Sequence, residues 1–159
     1  MKFVEVFTSK DNIQLDKKTL VILRWIAIIG QYISISIVYF VLKFQLPIFY
    51  CSIIILLGVL TNCYLQFLVK ENQLSNIKSS IYFLYDLIQL SLLLFLTGGV
   101  TNPFIILLII PAIVSSTFLS LKSTVNLSII TIIILIILTI SYLPLPHKVV
   151  EELHFHVPN

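Results

Sequence analysis

Two groups of residues in this chain have types and spacings that could do chemistry. The first is Thr97-Gly98-Gly99-Val100-Thr101-Asn102-Pro103-Phe104, an uncharged turn between two long apolar runs. Gly98 and Gly99 free the backbone for a tight turn and leave no side chain to keep a flat molecule away. Asn102 is a good N-cap and Pro103 suits the first helical position, so the helix beyond them should open with N–H groups that have no partner inside it. Such donors suit an acceptor oxygen, and Phe104 adds a ring for stacking at the same mouth. Taken alone, the octapeptide equally describes an ordinary connection between two helices.

The second group is a set of polar residues inside apolar runs. Asp86 falls about 13 Å along its run from Ile77 at 1.5 Å per residue, which is mid-bilayer if the run crosses a membrane, and a charge at that depth marks a functional site by default. Tyr82, Asp86 and Gln89 share one helical face, and Arg24, Ala27, Gln31 and Ser34 share another. A polar seam between the two helices would satisfy both faces, and Asn62 reaches a similar depth in a third run. Such a seam either glues helices together or relays a signal between them, and both readings stay open. Asp86 is either paired or protonated. Arg24, within about two turns of the end of its run, is expected to snorkel to the headgroups.

Positioning these residues calls for a membrane. The 159 residues are 58% hydrophobic and only 11% charged, with a mean hydropathy of +1.07, too apolar for a soluble domain. The net charge of +3 is small and the basic residues lie scattered near the ends of runs, which argues against a nucleic-acid partner. Five apolar runs, Leu20 to Leu42, Ile48 to Val69, Ile77 to Leu96, Phe104 to Leu121 and Val125 to Leu143, are each near the roughly 20 residues that a membrane helix needs. All are expected to be helices, since an isolated strand leaves its backbone unpaired in lipid. The expected fold is therefore all-α, a polytopic membrane protein with about five transmembrane helices.

Lys2, Lys10, Lys17, Lys18 and Arg24 at the amino end, Lys70 and Lys78 in the second connection and Lys122 in the fourth outweigh Lys43 and Lys148 on the other side. The positive-inside rule then puts the amino terminus in the cytoplasm and the Thr97–Phe104 turn outside. The domain reading is a cytoplasmic arm over residues 1–19, a membrane domain over 20–143 and an extracytoplasmic polar tail over 144–159. No cleavable signal peptide is expected. Cys51 and Cys63 share one run and are read as buried small hydrophobes. Pro144 and Pro146 should end the fifth helix. His154-x-His156 lacks further ligands and is expected to be solvated, so no metal site is expected.

Pro111 should kink the fourth helix, with Ser115 and Ser116 able to compensate its lost hydrogen bond; the kinked helix is either a lever or a static feature. The Ile-rich fifth helix reads as lipid-facing. There is no glycine-rich phosphate loop, nucleophile elbow, HExxH or phospho-acceptor histidine in a helical dimerisation pattern, so no catalytic residue and no enzyme activity are expected.

Gly98-Gly99-x-x-Asn102-Pro103-Phe104, preceded by Asp86, Gln89-Leu90 and Thr97 and followed by Pro111, resembles the membrane sensor region of RegB/PrrB-type redox-sensing histidine kinases. Leu23-Arg24-Trp25-x-Ala27-x-x-Gly30-Gln31 is similar to that family's opening of its first membrane helix. The resemblance covers roughly Thr19 to Leu121 and includes no kinase domain. It implies a quinone-pool sensor of a two-component system in the inner (cytoplasmic) membrane, with a ubiquinone-type quinone at Gly98, Gly99, Asn102, Pro103 and Phe104. The oxidised form would be modestly favoured, because a carbonyl keeps both lone pairs for the free N–H donors. Expected partners are the lipid bilayer, a second copy of the chain, and a separate histidine kinase or response regulator. The family has a sixth helix before its kinase, so the chain reads as a truncated product or a sensor fragment. The alternatives are a small multi-spanning transporter or channel subunit, with Arg24, Asp86 and Asn62 lining its path, and a non-functional remnant.

Overall fold

The structure, a computed structural model, describes residues 14–41, 43 and 45–143. Met1 to Lys10, the Pro144–Pro146 stop and the three histidines of the tail lie outside the described residues. Helix α1 covers Lys17–Ser36 and continues through one wider π turn, Ile37–Val41. Helix α2 covers Ile48–Phe67 and α3 covers Asn76–Leu96. Two 3-10 segments, Gly99–Thr101 and Pro103–Ile109, lead into α4, Ile110–Phe118, and α5 covers Leu121–Ile140. The fold is all-α, and its long helices carry exposed Ile, Leu and Phe side chains around their outer faces, as a surface bathed in acyl chains requires.

Four helices, Lys17–Val41, Ile48–Phe67, Asn76–Leu96 and Leu121–Ile140, are long and apolar enough to cross a membrane. The segment between the third and fourth of these is shorter, but its winding stretches it. Seven residues rise about 2.0 Å each in the 3-10 stretch and nine rise about 1.5 Å each in α4, so Pro103–Phe118 runs about 27 Å, against a hydrocarbon core of about 30 Å.

Pro111 explains where the winding changes. It has no N–H to give the carbonyl of Leu107, four residues back, and that carbonyl instead accepts the Ile110 N–H in a 3-10 bond. Pro111 thus sits in the first turn of α4 rather than in the middle of a long α-helix, as the sequence suggested. Ser115 and Ser116 do not repair its gap: their hydroxyls donate to the carbonyls of Ala112 (2.7 Å) and Ile113 (2.6 Å).

Residues 15–17 of the amino-terminal arm pack against the helical bundle. Leu15–Asp16 (β1) pairs antiparallel with Gln73–Leu74 (β2), and Leu15 and Leu74 are both buried. Lys17 caps the end of α2, its Nζ donating to the Val69 carbonyl at 2.8 Å. At the same end Asn76 donates to Ser120 and Ser123 (2.8 Å each) and accepts the Ser120 N–H, tying the start of α3 to the start of α5. The opposite end is closed by the Leu143 N–H on the Phe95 carbonyl (3.0 Å).

Helix α1 packs on α2, α2 on α3, and α5 on both α3 and α4. The core has two apolar clusters. One gathers Leu15, Leu20, Val21, Leu65, Leu74, Phe83, Leu119 and Leu127 near the strand pair; the other gathers Leu87, Leu90, Leu94, Leu108 and Leu138 toward the glycine turn. Helix α3 supplies both, and Asp86 lies between its two contributions.

Candidate functional site

Between those clusters the polar residues of α1 and α3 meet. Arg24 is 1% exposed and its Nε donates to both carboxylate oxygens of Asp86, at 3.0 and 3.2 Å. It does not snorkel. Buried between α1, α2 and α3, its guanidinium donates from Nη2 to Thr61 Oγ1 (2.9 Å), and its Cζ lies 5.1 Å from the Tyr82 ring and 5.4 Å from the Tyr85 ring. Thr61 passes the connection on by donating to the Gly58 carbonyl at 3.0 Å. A charge this deep is tolerated because it is paired, hydrogen-bonded and flanked by aromatic faces together.

Two turns further along α1, Gln31 accepts from Gln89 Nε2 at 2.8 Å, with both side chains buried. Gln89 fits there because α2 has no side chain in its way. A Cβ on Gly58 would fall 2.4 Å from Gln89 Nε2. Asn62, also buried, donates to the Val21 carbonyl of α1 at 3.3 Å, one turn away from the ion pair rather than within it. The seam of Arg24, Gln31, Asn62, Asp86 and Gln89 is therefore assembled, with α2 as its third wall. Thr61 and Gly58 were missed in the sequence. Their signal was two small residues a turn apart in the otherwise bulky stretch Ile53 to Thr61.

The glycine turn is built differently from the expectation. Asn102 does cap the segment beginning at Pro103, its Oδ1 accepting the Phe104 N–H at 2.9 Å, and the Ile105 N–H goes to the Asn102 carbonyl at 3.0 Å. Those are the donors that were expected to be free for an acceptor oxygen. The tight 3-10 winding consumes them. The Asn102 amide nitrogen is used as well, on Thr97 Oγ1 (2.8 Å) and the Thr97 carbonyl (3.1 Å). Gly98 and Gly99 do supply left-handed backbone, with φ of 102° and 53°. The space beside Gly99 is not open, however. A Cβ there would fall 2.5 Å from Tyr142 Cβ, so the glycine admits the end of α5 rather than a flat ligand.

The open space lies one layer deeper. Helices α1 and α4 flank α3 with little direct contact, and between them is a cavity of about 260 Å³. Leu23, Ala27 and Gly30 of α1, Phe83 and Leu90 of α3, Leu107 of the 3-10 lead, and Pro111 and Val114 of α4 give it an apolar wall, and Arg24, Gln31 and Asp86 give it a polar side. A smaller void of about 20 Å³, room for one water, is lined by Thr97, Asn102 and Phe104 together with Gln31, Leu90 and Leu107, which also line the large cavity. Thr97, Asn102 and Phe104 thus adjoin the cleft only through this small void. Cys51 and Cys63 are unbonded thiols, and no cluster of metal ligands occurs among the described residues.

No family model matches the chain, and no solved structure matches it. Among curated proteins, the sensor histidine kinase RegB of Cereibacter sphaeroides is 37% identical over 129 residues, which is 80% of this chain. The chain spans 28% of that relative's length. Arg24, Asp86 and the glycine turn therefore stand in a bundle that is homologous, over four fifths of its length, to the N-terminal membrane sensor part of RegB-type sensor histidine kinases.

Proposed function

We propose that this chain is the membrane sensor module of a two-component signalling system and that its signal is the redox state of the quinone pool in the inner membrane. The observation that carries this reading is the cleft between α1 and α4. It is an apolar cavity inside a lipid-embedded bundle with a few convergent polar groups on one side, the arrangement that small-molecule sites share. At about 260 Å³ it has room for a single substituted ring but little more. A quinone matches both halves of that wall, because its ring and isoprenoid tail are lipid-soluble while its oxygens need donors. Of the Gly98, Gly99, Asn102, Pro103 and Phe104 turn, Asn102 and Phe104 line the small void that adjoins the cleft.

Signal output follows from what the ligand would separate or draw together. The cleft divides α1 from α4, and the seam fixes α1 to α3 through the Arg24–Asp86 and Gln31–Gln89 contacts. A ring between them acts on α4 relative to that fixed pair. By the positive-inside rule Lys17, Lys18, Lys70, Lys78 and Lys122 mark the cytoplasmic end, so the glycine turn faces outward and the movement is read at the β1–β2 end. A response regulator, a kinase domain and a second copy of the chain complete the proposed assembly.

Trp25, the one tryptophan in the chain, provides a readout, because quinones quench indole fluorescence. Titrating decylubiquinone into the purified chain in lipid nanodiscs should give saturable quenching. Phe83→Ala, which removes the one aromatic ring in the wall of the cleft, should weaken it by about 0.5–1.5 kcal/mol through lost ring contact. Quenching that rises linearly with quinone in the membrane, with no saturation in the wild type, would remove quinone from the reading.

A further inference from the structure

We infer that the outer face of α5 is where a second copy of this chain docks, and that the Asn126 amide fixes the register of the pair. This gives the second copy in the reading above its contact face and makes no use of the quinone site. Helix α5 has the highest mean hydropathy of the four long helices, 2.5, yet only 17% of its most apolar stretch is buried in the bundle, against 39% for α3. Its outward side is ordered. Asn126, Ile129, Ile133, Ile136 and Ile140 are all exposed and follow one another at spacings of three and four residues. That is the seam period of two packed helices, with one polar residue among β-branched ones.

Asn126 distinguishes this face from one made for acyl chains. It lies about 7.5 Å in from the start of α5 at 1.5 Å per residue, between exposed Val125 and Ile129, and its side chain is too short to snorkel as the Lys122 ammonium does one turn earlier. Exposed hydroxyls in the spans turn back on their own helix, Thr139 to the Leu135 carbonyl at 2.8 Å and Ser116 to the Ile113 carbonyl at 2.6 Å. The Asn126 side chain makes no such bond and has no partner among the described residues. Lys122, a donor only, can satisfy its oxygen and nothing more, which leaves two N–H groups facing hydrocarbon.

A second copy supplies what lipid cannot. Copies inserted the same way hold Asn126 at the same depth, so a twofold axis along the membrane normal sets the two amides opposite each other. Each then donates to its counterpart's oxygen and accepts from its counterpart's nitrogen. Sliding one helix along the other, or reversing it, parts the amides, and the stiff Ile side chains lose little rotamer freedom in packing. Because α5 starts at a Ser120 cap tied to Asn76 of α3, pairing brings together the two bundle ends at which movement of α4 is read.

The test has two parts, both on the full chain. In the first, donor- and acceptor-labelled copies are diluted in dodecylmaltoside micelles and the dissociation constant is read from energy transfer, with far-UV circular dichroism to check folding. Asn126→Leu, at an exposed position, should weaken association by about five- to thirtyfold, and Asn126→Gln should recover most of the loss. In the second, single cysteines are oxidised in the membranes of expressing cells, in a background carrying Cys51→Ala and Cys63→Ala. Ile129→Cys, Ile133→Cys and Ile136→Cys should cross-link readily, whereas Leu57→Cys, equally exposed on α2, should not. Association of Asn126→Leu as tight as wild type, or cross-linking no stronger on α5 than at Leu57, would overturn the face. Absence of energy transfer in the wild type would overturn the docking itself, and neither result alters the quinone titration.

Discussion

Removing one partner of the Arg24–Asp86 pair leaves the other charge buried without compensation, which typically costs about 3–5 kcal/mol. Asp86→Leu and Arg24→Leu should each lower stability by about that much. The double variant should recover most of the loss, because two apolar side chains leave no buried charge. Thermal unfolding of the four proteins in detergent checks this, and a double variant as unstable as the singles would show that the pair is not the source. Gly99→Ala meets a different obstacle. A left-handed φ of 53° costs an alanine about 1–2 kcal/mol, and crowding Tyr142 adds about 1–3 kcal/mol. An unchanged melting temperature in Gly99→Ala would contradict the packing of α5 on the turn. At this scale the seam was readable because helical period and bilayer depth alone put Arg24, Gln31, Asp86 and Gln89 on facing stripes. The destination of Arg24 was not. Snorkelling and burial differ only by the partners available, and Thr61 and the Tyr82 and Tyr85 rings come together through tertiary packing that no local pattern reveals.

Among the elements, α4 and its 3-10 lead depend most on a single residue. Pro111→Ala restores an N–H that competes for the Leu107 carbonyl, so part of Pro103–Ile109 should rewind as α-helix. Each residue rewound shortens the segment by about 0.5 Å, or about 3–4 Å over all seven. Spin labels at residues 104 and 118 would report that contraction as a shorter distance. An unaltered distance would mean that packing, not Pro111, sets the 3-10 winding. Hydropathy showed that this run is apolar, yet it could not distinguish 3-10 from α, because a run apolar on every side carries no period that favours 3.0 residues per turn over 3.6. The β1–β2 pair was invisible for a related reason. Two residues per strand carry no period, and what makes them structural is the burial of Leu15 and Leu74 beneath the ends of the helices.

For the whole molecule, the alternation of chain ends sets the sidedness of the site. The strand pair, the Asn76–Ser120 tie and most of the described basic residues share one end, and the glycine turn and the Leu143–Phe95 bond share the other. A thiol introduced at Thr101 should react with a membrane-impermeant reagent from outside intact cells, and one at Glu71 only after lysis; the reverse pattern would invert the bundle. The chain matches 28% of the length of a sensor histidine kinase, and the proposed quinone binding is tested on this bundle itself. The decisive measurement is photolabelling of the chain in nanodiscs with an azido-quinone, followed by peptide mapping, with and without excess decylubiquinone. Label that is displaced by decylubiquinone and falls on residues 23–31 of α1 and on residues 107–114, where the 3-10 lead runs into α4, is the expected result. Label that decylubiquinone does not displace, spread over the lipid-facing isoleucines of α5, would contradict the quinone-sensing reading.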